Sequence, residues 1–105
     1  MKIEEFEEIS ILLGYYKELL SKRQKEYMEK HFEEDYSLTE IAEKNGVSRQ
    51  AVFENIKRGI KSLREYELKL KVYNRDREIR KALLELKNSK AMENIDLILE
   101  KYLWE

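Results

Sequence analysis

Along the first twenty residues, apolar side chains return every three or four positions: Ile3, Phe6, Ile9 or Ile11, Leu13, Tyr16 and Leu20. That period predicts a helix over residues 3–20 with one apolar face. Ser21 interrupts it. In "SKRQ", Ser21 is placed as an N-cap with Gln24 three residues on, a capping box that opens a second helix with Tyr27, Met28, His31 and Phe32 on its apolar face. "EEDYS" ends that helix, and "SLTE" repeats the device with Ser37 and Glu40. A short third helix over residues 38–44 follows, burying Leu38, Ile41 and Ala42. Asn45-Gly46 supplies a turn, because glycine enters the left-handed conformation at no steric cost, and Val47 plugs the corner.

Ser48 is the next N-cap, and from Arg49 onward Val52, Ile56, Ile60 and Leu63 share one helix face. This fourth helix meets no stop signal until well past residue 70. Beyond Leu63 two stripes coexist, one of Leu63, Tyr66, Leu70 and Tyr73, the other of Leu68, Val72, Ile79, Leu83 and Leu86. A helix with two apolar stripes touches two partners, here the body of its own domain and a second copy of the chain as a candidate homodimer contact. Asn88-Ser89 breaks the pattern, and a last helix offers Met92, Ile95, Leu99, Tyr102 and Leu103, with Trp104 free to dock on the body or a second subunit. The expectation is an all-α fold: one helical domain over residues 1–105, a helix-turn-helix at 37–64 in a core of three to four helices, and a helical extension at 65–105 that offers a dimerisation element.

The helix-turn-helix follows from residue size. Ala42 lets the two helices approach, Gly46 relieves the turn, Ser48 caps, and Val52 and Ile56 fill the angle between them. In such a pair the first helix braces the second, whose amino-terminal part faces the major groove. The face opposite Val52, Ile56 and Leu63 carries Gln50, Ala51, Glu54, Lys57, Arg58 and Lys61, bordered by Arg49 and Phe53. Lys57, Arg58, Lys61 and Arg64 suit phosphate oxygens, while Arg49, Gln50 and Asn55 are able to hydrogen-bond base edges. The same shape also serves as a packing unit or a protein-docking surface.

Charge modifies this picture modestly. The net charge is −1, which argues against a purely electrostatic nucleic-acid binder. Yet acids outnumber bases in the first third of the chain, and bases outnumber acids in residues 37–66, which hold the motif. The acidic "EEFEE" reads as a solvated helix face, with a mask over the basic helix as the alternative. No proline, three glycines and 41% charged residues favour helix throughout. The absence of cysteine rules out disulfides and thiolate chemistry, and no apolar run approaches a membrane span, so a cytoplasmic protein without membrane insertion is expected.

An enzyme is not expected. The single histidine, His31, sits on an apolar face, and His31, Glu34 and Asp35 make at best a weak metal trio without a fourth ligand. There is no glycine-rich phosphate loop and no nucleophile–histidine arrangement, so neither a metal nor a cofactor is called for. Of the seven tyrosines, Tyr16, Tyr27, Tyr66 and Tyr73 keep register with apolar neighbours, which reads as packing with the hydroxyl at the rim.

The stretch "SLTEIAEKNGVSRQAVFENIKRGIKSLREYE" resembles region four of bacterial sigma factors, the part that reads promoters. Together with the preceding "LLSKRQKEYMEKHFEEDYSLTEIAE" and the long charged helix that follows, the chain resembles the YlxM family over residues 10–85. These are small helical proteins encoded beside the signal recognition particle GTPase. The resemblance implies an accessory or regulatory role in that particle's pathway, with DNA, the particle's RNA or its GTPase as partner. It also implies that Arg49, Gln50, Phe53 and Glu54 occupy the positions that reach promoter bases in sigma factors. The position of Phe53 is commonly basic in the housekeeping type. A phenylalanine touches a thymine methyl or stacks on an unpaired base but donates no hydrogen bonds to guanine, which argues against promoter-type specificity.

Overall fold

The computed structural model describes residues 1–89 and 93–103, which divide into two compact units, Met1–Leu70 and Lys71–Glu105. No strand occurs among the described residues, and the fold is all-α. None of these helices is long and apolar enough to cross a membrane.

The first unit is built from α1 (Ile3–Tyr16), α2 (Lys22–Phe32), α3 (Leu38–Asn45) and α4 (Arg49–Leu70). Between α1 and α2 the chain tightens into a 3₁₀ turn, Lys17–Leu19, so the helix expected to reach residue 20 changes character after Tyr16. Ser21 then caps α2: its Oγ accepts from the Gln24 amide at 3.2 Å, and the Gln24 side chain accepts from the Ser21 amide at 3.4 Å. Asp35, at φ 61°, ends the run after α2 in the left-handed conformation that aspartate tolerates better than most residues.

The Ser37 hydroxyl accepts from the Glu40 amide at 3.0 Å, and the Glu40 carboxylate accepts from the Ser37 amide at 2.9 Å, closing the second box. Replacing Ser37 with Ala is expected to destabilise the protein by about 1 kcal/mol and lower Tm by roughly 4–8 °C, read by thermal unfolding. The same box responds to acid. The backbone amide and then the hydroxyl of Ser37 hold the Glu40 carboxyl below the ordinary glutamate range. A depressed folded-state value means this contribution is complete above the ordinary pKa and is lost as pH falls through the depressed one. An S37A melt that coincides with wild type would show that the box does not support α3.

Gly46 closes α3 at φ 63°, its amide donating to the carbonyls of Ala42 and Glu43, and Ser48 Oγ accepts from the Ala51 amide at 3.0 Å to start α4. The core joins Ile9, Leu12, Leu13 and Tyr16 to Tyr27, Met28 and Phe32, and these to Ile41, Ala42, Val52, Ile56 and Leu63. Two expectations change. On α1, Ile9 rather than Ile11 turns inward and Leu12 joins it, while Ile3 is exposed, because α1 packs through the edge that repeats Ile9, Leu13 and Tyr16. On α4, Gly59 takes the buried place and Ile60 stands half-buried, because α2 brings Met28 against the backbone there. Tyr16 and Tyr66 tie the helices at their rims: Tyr16 Oη donates to Glu67 at 2.6 Å and Tyr66 Oη to the Leu19 carbonyl at 3.0 Å.

Contrary to the uninterrupted helix expected past residue 70, α4 stops at Leu70, and Lys71 adopts φ 54°. A left-handed lysine costs roughly 1–2 kcal/mol, and no glycine or proline marks the site, so the stop is invisible to propensity. The second unit contains α5 (Val72–Ser89), α6 (Glu93–Ile98) and a π-helical turn, Leu99–Leu103. Within it Tyr102 Oη donates to Glu78 at 3.2 Å, and Ile79 and Leu86 of the expected stripe are half-buried while Val72 and Leu83 are exposed. Met92 and Trp104, together with the side chains of Ile95 and Leu103, lie outside what the structure describes.

Candidate nucleic-acid interface

Burial of Val52, Ile56, Gly59 and Leu63 forces the opposite face of α4 outward. Arg49, the first residue of the helix, is exposed, as are Gln50, Phe53, Lys57, Arg58, Lys61 and Arg64. Asn55 is half-buried. Lys57, Arg58 and Lys61 form no ion pair among the described residues, so their charges face solvent unneutralised. These cations suit a phosphate backbone, and the capped start of α4 orients them in register one turn apart.

The remaining expected contacts are already engaged. Gln50 Nε2 donates to Glu54 Oε1 at 2.9 Å, and Asn55 Nδ2 donates to the Ala51 carbonyl at 3.0 Å, so both amides are occupied within their own helix. Arg64 reaches α1, pairing with Glu5 and Glu8 at 3.3 Å each. Exposed pairs of this kind contribute little to stability, but they place carboxylates of the acidic amino-terminal helix beside the end of the basic face. The structure thus brings Phe53, Lys57, Arg58, Lys61 and Arg64 together along one accessible surface, with Arg64 already paired, leaves Arg49 exposed at the start of the helix, and turns Asn55 back onto its own helix.

An apolar groove escaped the sequence pattern. It holds about 700 Å³ and runs beside α4, with Phe32, Leu38, Phe53, Ile56, Ile60 and Leu68 among its walls. Lys57, Arg58, Lys61 and Arg64 line it too, as do Glu5, Glu54 and Glu65. Four helices supply these residues, so no single periodicity announces the groove, although Phe53 on the border of the outward face is a local sign of it. His31 lies against Phe6 and Phe32 and is also among the residues that line the groove. Its Nδ1 is 2.7 Å from the Tyr36 carbonyl and must carry the proton, since a carbonyl only accepts. Glu34 pairs with Lys30 at 3.7 Å, and no group of three ligating side chains among the described residues is disposed to hold a metal ion.

Comparison with known proteins identifies a helix-turn-helix family. A family model described as "Putative helix-turn-helix protein, YlxM / p13 like" (UPF0122) matches residues 3–101. The chain is similar to the UPF0122 protein of Fusobacterium nucleatum, with 52% identity over 103 residues that cover 98% of this chain and 100% of the relative. It is 47% identical over 85 residues to a UPF0122 protein of Streptococcus gordonii, covering 81% and 76% of the two chains. A relative in Streptococcus agalactiae is 49% identical over 74 residues, covering 70% of this chain and 67% of its own.

Proposed function

We propose a function from one premise: the chain belongs to the YlxM / p13-like helix-turn-helix family. It binds nucleic acid through the outward face of α4, with Arg49, Lys57, Arg58 and Lys61 on phosphates, Phe53 on a base, and Gln50, Asn55 and Arg64 contributing only if they release their present partners. The carrying observation is the set of unneutralised cations at Lys57, Arg58 and Lys61, on the helix that this motif presents to nucleic acid. The proposed setting is the cytoplasm, in an accessory or regulatory role to the signal recognition particle pathway with the particle's RNA or DNA as target, a reading that the resemblance to the YlxM family supports. No catalysis and no cofactor enter the reading.

The apolar groove beside α4 favours a second reading, an adaptor that docks on a protein such as the particle's GTPase. A second copy remains a candidate partner for the exposed Val72 and Leu83 of α5.

Salt separates the two readings. Each phosphate neutralised contributes a slope of about −0.7 to −0.9 to log affinity against log salt, so four contacts give a slope of roughly −2.8 to −3.6. Fluorescence anisotropy against the particle's RNA and random duplex DNA, across a salt series, is expected to return that slope. Failure to bind either at low salt would remove the nucleic-acid reading and leave the adaptor.

A further inference from the structure

We infer, resting on the nucleic-acid reading, that the target presents an unpaired, unstacked base to the groove beside Phe53, and is therefore a looped or single-stranded segment rather than a continuous duplex. Reading a duplex through the major groove depends on amide and guanidinium groups that bond two base-edge atoms at once. The amides that could do so are tied down, Gln50 to Glu54 and Asn55 to the Ala51 carbonyl, while the guanidiniums of Arg49 and Arg58 stay exposed and are assigned to phosphates with the lysines. What the groove offers a base is an aromatic ring. Phe53 is 41% exposed, has no hydrogen-bonding atom, and forms a wall of the open groove whose other walls include Phe32, Leu38 and Ile60.

A base freed from its stack has two apolar faces that need cover, and stacking on an aromatic side chain provides it without regard to sequence. The flanking phosphates then fall to Lys57 and Lys61, which line the same groove and make no ion pair among the described residues. The carboxylates of Glu5, Glu54 and Glu65 line it as well and repel phosphate, which favours a strand whose phosphates meet the lysines. An aromatic platform edged by free cations is the arrangement that binds single strands.

The test uses the full chain and three fluorescein-labelled probes: an RNA hairpin with a loop of unpaired nucleotides, the same stem as a blunt RNA duplex, and single-stranded oligothymidine. Anisotropy is followed for wild type, Phe53→Ala and Phe53→Tyr, after circular dichroism confirms that each variant is folded. The hairpin and oligothymidine should bind more tightly than the blunt duplex. Phe53→Ala should weaken those two by roughly tenfold or more while leaving the duplex unchanged, and Phe53→Tyr should keep most of the affinity. Preference for the blunt duplex, or equal loss on all three probes, overturns the inference while nucleic-acid binding stands. Binding that ignores Phe53→Ala also overturns it and gives the groove to another occupant, such as a partner helix or a second copy. If no probe binds at low salt, the nucleic-acid reading itself fails and the inference goes with it.

Discussion

Gly59→Leu is expected to lower the melting temperature by about 10 °C. A β-carbon built on Gly59 lands on the Met28 thioether and stands 3.3 Å from Met28 Cγ. Met28 is fully buried, so its chain end has no solvent to escape into. Overpacking a closed core costs about 1–3 kcal/mol, here near the top of that range because a whole leucine side chain enters where even a β-carbon has no room, and exchanging glycine for leucine in a helix returns about 0.8–1 kcal/mol of propensity. A net loss near 2 kcal/mol converts to a fall of roughly 8–16 °C for a domain of this size. The propensity gain makes the result diagnostic, since only tertiary contact can make the leucine unfavourable. Adding Met28→Ala opens space for the new side chain, so the double variant should be more stable than the sum of the two single effects implies. A Gly59→Leu protein that melts with wild type would mean that α2 and α4 do not meet at this point.

Reversing two charges, Lys57→Glu with Lys61→Glu, is expected to weaken nucleic-acid binding by about 10- to 100-fold at moderate salt, with the salt slope shallower by about 1.4–1.8. Both side chains are exposed and make no ion pair among the described residues, so the fold should be unaffected. Lys57→Gln with Lys61→Gln should fall between wild type and the reversal, because it removes attraction without adding repulsion. Anisotropy at several salt concentrations reads both quantities, and the slope identifies the mechanism. A loss of affinity with an unchanged slope would assign these lysines to shape or packing rather than to phosphates. No loss at all would remove the outward face of α4 from the interface.

The features that could be read from the sequence are those whose partners lie within one helical turn. Ser21 with Gln24 and Ser37 with Glu40 form the boxes that their spacing predicts, because a capping box closes over three residues and depends on no distant element. Gly46 and Ser48 behave likewise: one supplies a left-handed residue, the other an oxygen for a free amide. The apolar period of α4 also settles which residues face outward, so the exposure of Lys57, Arg58 and Lys61 follows from Val52, Ile56 and Leu63 alone, while Arg49 is exposed as the first residue of the helix.

The rest depends on which elements meet. Ile9 and Ile11 both suit an amphipathic helix, and the helices packed on α1 select Ile9. Gly59 and Ile60 are neighbours on α4, and only the approach of Met28 shows why the smaller one is buried. Arg64 reads as a phosphate contact until α1 brings Glu5 and Glu8 to it across more than fifty residues of chain. The stop at Lys71 carries no breaker residue, so local preference continues the helix where the backbone does not.

The sequence by itself determined the all-α class, the helix-turn-helix and the outward basic face of its second helix, because hydrogen bonds within a turn and the 3.6-residue period are local physics. Tertiary structure alone decided the close approach at Gly59, the engagement of Arg64 and the groove beside Phe53. Each of these needs side chains from separate helices within a few ångströms, and packing sets such distances in three dimensions that no periodicity along one chain encodes.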